Sequence, residues 1–146
     1  MLQLIIRGKP LPWRAPYVGT RGAYSPRTPI KHQIQDQLKL QYKGFILTDY
    51  VAIDFIFHMP IPKTATKKKK QMMFSDQLRP VSCDITNMRK FAEDYLQGIV
   101  ILNDKMVVDG RTTEYYSSDP KTVIQVYSIE EYEKRYGQLN VLEDLV

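Results

Sequence analysis

Acidic, amide and basic side chains recur at helical spacing in the second half of the chain. They are Asp84, Asn87, Lys90 and Asp94. At about 100° per residue, these four side chains fall on one polar stripe of a predicted helix. The apolar residues of the same segment centre about 120° away around the helix axis. Because the buried face of a helix needs none of these polar groups, the stripe is a candidate active centre.

A further acidic position follows this predicted helix. Asn103 and Asp104 stand directly before a predicted strand that begins at Lys105. An acid at the entrance of a strand, beside a helix N-terminus, can share a cation with Asp84. Magnesium suits such a site, because it uses one or two carboxylates and keeps several water ligands. Mg²⁺, with Mn²⁺ as a substitute, is therefore the candidate cation for this pair.

The same residues also have purely structural interpretations. Asp84 could be only an N-cap, which stabilises a helix by about 1 kcal/mol. Lys90 and Asp94 could form an exposed i,i+4 ion pair worth about 0.2–0.5 kcal/mol. Asn103 and Asp104 could form a plain turn. For each residue taken alone, the spacing leaves both interpretations open.

Hydrophobic periodicity predicts one small α/β (α+β) domain around these residues. The expected mixed β-sheet has about four strands, at residues 3–7, 50–58, 105–116 and 122–127. Two main helices are expected at residues 28–44 and 84–98, the first with Thr28 as its N-cap and Pro29 at its first position. A capping box at residues 128–131 predicts a short last helix within a C-terminal tail at residues 128–146.

Two further segments carry positive charge. Residues 12–26 predict an irregular arm or loose hairpin, and residues 59–80 predict a basic loop. Adjacent lysines repel one another without an anionic partner, so we expect phosphate contacts, although a disordered solubilising loop is a common alternative. The aromatic residues of the arm could stack on unpaired bases or pack against the sheet or a partner subunit. The candidate DNA-binding residues are Arg14, Arg21, Lys63, Lys67, Lys68, Lys69 and Lys70.

Composition narrows the class of protein. The chain has 146 residues and a formal net charge of +5, which favours an anionic partner, nucleic acid before membrane. One cysteine and two histidines exclude an intrachain disulfide and a three-His zinc site. No apolar window approaches the length of a membrane span, and no signal peptide is recognisable. We therefore expect a cytoplasmic protein.

A longer pattern links these pieces. It comprises DITNMRKFAED at residues 84–94, NDKMV at 103–107, GKP at 8–10, AYSP at 23–26, and PIPK followed by four lysines in the basic loop. In combination, these motifs resemble the signature of the RusA-type Holliday-junction resolvases, the crossover junction endodeoxyribonucleases. The resemblance covers residues 1 to about 127, which we take as the domain.

The resemblance implies a RusA-like fold and a homodimer. It also implies a magnesium-dependent endonuclease that resolves four-way DNA junctions by paired symmetric nicks in recombination and repair, with no membrane partner and no organic cofactor. It assigns metal binding to Asp84 and Asp104, and a catalytic role to these two and Lys90. Supporting positions are implied for Thr86, Asn87, Asp94 and Asn103.

Two positions depart from the family pattern. Thr86 stands where the family usually has a second acid, and Asn103 replaces the first member of an acidic pair. A hydroxyl carries no charge and is a poorer magnesium ligand than a carboxylate. The alternative function is therefore a catalytically weakened or inactive dimer that binds branched DNA. A third, an RNA-binding or ribosome-associated basic protein, predicts no preference for branched DNA over linear duplex.

Overall fold

The computed structural model describes residues 1–81 and 84–137. The strands are β1 (Leu2–Arg7), β2 (Tyr17–Gly19), β3 (Gly22–Tyr24), β4 (Val51–Pro60), β5 (Val107–Asp109), β6 (Thr112–Ser117) and β7 (Lys121–Ser128). The helices are α1 (Thr28–Gln41), α2 (Lys67–Phe74), α3 (Ile85–Leu96) and α4 (Ile129–Tyr136), with a 3₁₀ turn at Asp104–Met106. Within the described ranges, no helix has the length and apolar character needed to cross a bilayer.

Five of these strands form a mixed sheet, as the predicted α+β class requires. β1 pairs with β7 and β7 pairs with β4, both antiparallel. β5 and β6 run parallel to β4, β5 beside Val51 and Ala52 and β6 beside residues 55–60. Both therefore lie along one edge of β4, and the 3₁₀ turn that precedes β5 lies near the start of β4.

The main core lies between one face of this sheet and helices α1 and α3. Alternate residues of β4 enter it, as the sequence predicted, and Phe55 and Phe57 are almost completely buried. From α3, Met88, Phe91 and Leu96 pack into the same cluster. Burial of each such side chain contributes about 1.5–3 kcal/mol to folding. This packing fixes α3 against the sheet and leaves its polar stripe outside.

The opposite face of the sheet is covered by α4. Its predicted capping box is confirmed: the Ser128 hydroxyl accepts a hydrogen bond from the Glu131 backbone N–H, and the Glu131 carboxylate accepts one from the Ser128 backbone N–H. Ala52 of β4 packs with Tyr127 and Tyr132 beneath the helix. Residues 138–146 of the predicted tail lie outside the described residues.

The lysine run differs from the predicted loop. β4 continues through Pro60, and residues 67–74 form α2, whose first turn consists of the four lysines. Positive charge is unfavourable at a helix N-terminus. The helix is nevertheless supported at that end by the Thr66 hydroxyl, which accepts from the Lys69 backbone N–H at 3.2 Å, and by burial of Met73.

The predicted strand at residues 105–116 is interrupted. The 3₁₀ turn and β5 precede a corner at Gly110, where φ is +137° and a Cβ atom would stand 1.9 Å from the Ile53 carbonyl oxygen. Only glycine fits there, and β6 begins after it. The N-cap of α1 is likewise one residue earlier than predicted, at Arg27.

The arm contains the loose hairpin that the sequence predicted. β2 and β3 pair antiparallel, with Tyr17 opposite Tyr24. Each residue of the two strands is exposed. The hairpin therefore extends from the domain between β1 and α1.

Candidate functional site

Asp84 forms the N-cap of α3. Its Oδ1 accepts hydrogen bonds from the backbone N–H groups of Thr86 at 3.0 Å and Asn87 at 3.3 Å, and its Oδ2 accepts one from the Asn87 amide nitrogen at 3.0 Å. The structural interpretation is thus observed. Asp84 is also exposed, and a carboxylate has about four lone-pair positions. The capping bonds orient the group and leave it capacity for a cation.

Thr86 and Asn87 flank this carboxylate. Thr86 lies in the first turn of α3 with its side chain exposed. The Asn87 side-chain amide donates a hydrogen bond to the Asp84 carboxylate. The hydroxyl of Thr86 adds an uncharged oxygen to the same turn.

Lys90 lies in the second turn of α3 and is exposed. Its ammonium nitrogen stands 3.7 Å from the centre of the Trp13 ring. The Trp13 backbone N–H donates to the Asn87 carbonyl oxygen at 2.9 Å. The arm is therefore attached to the polar stripe of α3 at the lysine.

Asp94 pairs with Lys31 rather than with Lys90, the partner that an i,i+4 pair would give it. Its carboxylate lies 3.2 Å from the ammonium of Lys31 on α1. The ion pair links α1 to α3 and is partly exposed, so its contribution to stability is about 0–1 kcal/mol. Asp94 thus supports the position of α3 from its C-terminal half.

Asp104 begins the 3₁₀ turn before β5 and is exposed. Asn103 caps that turn, since its side-chain oxygen accepts from the Lys105 backbone N–H at 3.0 Å. The turn interpretation is therefore observed for Asn103, while the carboxylate of Asp104 faces solvent.

Arg89 links α3 to the corner between β5 and β6. Its guanidinium donates to the Thr112 hydroxyl at 2.7 Å and to the Gly110 carbonyl oxygen at 3.4 Å, on the corner that follows β5. It also donates to the Glu93 carboxylate at 2.9 Å. The sequence analysis did not identify Arg89 as a site residue; the i,i+4 spacing of Arg89 and Glu93 was the available signal.

The carboxylates of Asp84 and Asp104 are donors of the kind that magnesium uses. Within residues 1–81 and 84–137, no three His, Cys, Asp or Glu side chains cluster so as to hold a metal. Magnesium commonly binds through one or two carboxylates together with water and substrate phosphate. Two exposed carboxylates, Asp84 and Asp104, match that mode, whereas a structural zinc ion would need four nitrogen or sulfur ligands.

Comparison with known proteins shows to which family the chain belongs. The model of the RusA endodeoxyribonuclease family matches residues 8–127. The chain belongs to this family. A bacterial relative, the uncharacterized protein YqaN of Bacillus subtilis (strain 168), is 30% identical over 87 residues, which cover 58% of this chain. The aligned region spans 61% of that relative, less than two thirds of its length.

The basic residues of this RusA-family protein lie in two basic regions, the arm and the segment from Lys63 through α2. Arg14 and Arg21 are exposed in the arm, with Arg21 at the turn between β2 and β3. Lysines 67–69 are exposed on α2. Lys63 and Lys70 line a shallow hollow of about 280 Å³ beside Ser117 and Ser118. Each basic region can present positive charge to a phosphate backbone.

A buried carboxylate, Asp54, lies on the other face of the sheet, and the sequence analysis did not identify it as a site residue. Asp54 is 4% exposed. It accepts hydrogen bonds from the Tyr132 hydroxyl at 3.0 Å, the Tyr136 hydroxyl at 2.8 Å and the Arg111 backbone N–H at 2.8 Å. Burial raises the pKa of Tyr132 to about 12, and the hydrogen bond to Asp54 is the second cause of this rise. A polar residue within an apolar strand was the signal for this network, which secures α4 and the corner at Gly110.

Proposed function

We propose that this RusA-family protein is a magnesium-dependent, structure-selective endonuclease. It would resolve four-way DNA junctions by paired symmetric nicks, as a cytoplasmic homodimer that acts in recombination and repair. The observation that carries the proposal is the family match over residues 8–127, because it includes every position assigned to the site. The exposed polar stripe of α3 supplies the chemistry.

Asp84 and Asp104 are the residues that would hold the metal ion, and Mn²⁺ would substitute for Mg²⁺. When bound, the ion polarises the scissile phosphate and lowers the pKa of a coordinated water. One contact acts on Asp84, and another acts on the segment that follows Asp104. The Asn87 amide orients the Asp84 carboxylate, and Arg89 holds α3 against the corner that follows Asp104 and β5.

Lys90 would place its ammonium at the scissile phosphate. Negative charge grows on the phosphate oxygens and the leaving oxygen during hydrolysis, and a cation held there stabilises it. The side chain is exposed and lies on the same stripe as Asp84. Because Asp94 is engaged by Lys31, it does not neutralise Lys90.

The two basic regions would contact phosphates on the arms of the junction. Such contacts position DNA without reading its sequence, as recognition of a branched shape requires. The residues concerned are Arg14, Arg21, Lys63, Lys67, Lys68, Lys69 and Lys70. Two symmetric cuts need two sites related by a twofold axis, which a closed homodimer provides.

Cleavage of a labelled four-way junction tests the proposal. With Mg²⁺, we expect paired nicks from the natural protein and a loss of at least about 100-fold in rate for Asp104→Asn, because a positioned ligand is removed. Asp36→Asn, an exposed aspartate of α1, is the matched control and should cleave normally. Equal cleavage by Asp104→Asn, or equal binding of linear and branched duplexes, would contradict the proposal.

The alternative is a dimer that grips branched DNA but cuts it weakly or not at all. The observation that favours it is Thr86, an exposed hydroxyl in the turn where the family resemblance implies a second acid. Thr86→Asp separates the two functions. Tight binding without cleavage by the natural protein, with cleavage restored in Thr86→Asp, would support the alternative.

A further inference from the structure

We propose that Trp13 is a positioning residue for Lys90, an inference that rests on the proposed endonuclease function. The ammonium of Lys90 lies 3.7 Å from the centre of the indole ring. A cation over the face of a tryptophan is attracted by the electron density of the ring. The indole would therefore hold the lysine in place before DNA arrives.

The indole is itself firmly held. The Trp13 backbone N–H donates to the Asn87 carbonyl oxygen at 2.9 Å, and the preceding carbonyl, of Pro12, accepts from the Arg27 guanidinium at 3.0 Å. Trp13 and Leu11 are partly buried against the main core. The two hydrogen bonds of the Pro12–Trp13 peptide group and the packing of the side chain thus fix the ring relative to α3.

An exposed lysine gains from such a support. Its four-carbon side chain has many rotamers, and fixing them at the moment of reaction costs entropy. The ring restricts these rotamers while leaving ammonium N–H groups available for a phosphate oxygen. The carboxylate one turn further along, Asp94, does not compete for Lys90 because it pairs with Lys31.

The position of Trp13 in the chain adds a consequence. It directly precedes Arg14 and the exposed hairpin of β2 and β3, which carries Arg21 at its turn. The segment proposed to touch DNA is therefore the same segment that supports the lysine. Contact of the arm with a junction would be transmitted to Lys90 through one ring.

The fluorescence of the chain's single tryptophan tests the contact without any need for cleavage. Lys90→Met removes the charge from the ring and should change the intensity or wavelength of Trp13 emission. Lys39→Met, on the exposed side of α1, is the matched control and should leave emission unchanged. If Lys90→Met also leaves the emission unchanged, the inference is overturned.

Single-turnover cleavage at saturating junction tests the consequence. We expect Trp13→Leu to lower the cleavage rate about five- to tenfold with little change in the Kd for the junction, and Trp13→Phe to lower it less, because phenylalanine keeps a weaker ring. Since Trp13 acts through Lys90, Trp13→Leu should cause no further loss in a Lys90→Gln background. Tyr42→Leu removes another aromatic residue packed on the core and should not change the cleavage rate.

The outcomes separate this inference from the proposed function. Equal losses from Trp13→Leu in both backgrounds, or a normal rate in Trp13→Leu, would overturn the positioning role while the endonuclease function stood. A natural protein that binds the junction and never cleaves it would overturn both, whatever the tryptophan emission showed.

Discussion

Replacing Asp54 with alanine should destabilise the protein strongly. The change leaves the Tyr132 hydroxyl, the Tyr136 hydroxyl and the Arg111 backbone N–H without their common acceptor. A hydrogen bond to a charged group contributes about 1.5–3 kcal/mol, and water can replace it only where water has access. Tyr132 is buried, whereas Arg111 is exposed and Tyr136 is half-buried. The free energy of unfolding should therefore fall by about 3–4 kcal/mol, which lies between the contribution of one such hydrogen bond and that of three.

Urea unfolding followed by circular dichroism measures this loss directly. For a domain of this size, about 3 kcal/mol corresponds to a fall of roughly 10 °C in Tm. Asp54→Asn keeps one carbonyl acceptor and should lose about half as much free energy of unfolding. The exposed Asp36→Ala is the control and should change it by less than about 0.5 kcal/mol. A loss below about 1 kcal/mol in Asp54→Ala would refute the argument that these three donors depend on one buried carboxylate.

Three further predictions follow from other features of the structure. Gly110→Ala should lower the free energy of unfolding by about 3–5 kcal/mol and reduce cleavage, because the new Cβ would meet the Ile53 carbonyl oxygen. Gly98→Ala is the control, since its Cβ would meet nothing within 4 Å, and it should lower the free energy of unfolding by about 1 kcal/mol in the same urea experiment. Burial raises the pKa of Glu114, so its ionisation opposes folding as pH rises through that pKa. Glu114→Gln should therefore raise Tm at pH 8 and lose this advantage below the ordinary carboxyl pKa of about 4.3. Replacing lysines 67–69 with glutamine should flatten the dependence of log junction affinity on log salt by about 0.9 for each phosphate that these lysines neutralise, as measured by fluorescence anisotropy.

Local periodicity predicted the elements that carry the site. The side chains of a strand alternate with a period of two residues, and those of a helix repeat every 3.6 residues. Both the alternation of β4 and the polar stripe of α3 could therefore be inferred without tertiary information. The capping box before α4 is also a local interaction within four residues. These features were confirmed because their physical causes lie within single elements.

The lysine run shows where composition misleads. Four lysines indicate a solvated loop, but the Thr66 cap and the burial of Met73 favour a helix. The corner at Gly110 was also missed, because the approach of the Ile53 carbonyl oxygen exists only once the sheet has formed.

The candidate site was predicted as a set of residues rather than as a set of contacts. Asp84 was identified both as a cap and as a ligand, and its capping bonds are observed. The partners of Lys90 and Asp94 come from the arm and from α1, both distant in sequence. Long-range contacts of this kind depend on packing and leave no periodic signal in the chain.

We propose that Asp84 and Asp104 hold one divalent cation beside Lys90. Crystals soaked in Mn²⁺ and measured at a wavelength where manganese scatters anomalously test it most directly. We predict an anomalous peak within about 2.0–2.3 Å of one oxygen from each of the two carboxylates, and loss of that peak in Asp104→Asn. A fully occupied ion bound elsewhere, or two carboxylates turned away from each other in a crystal saturated with Mn²⁺, would contradict it.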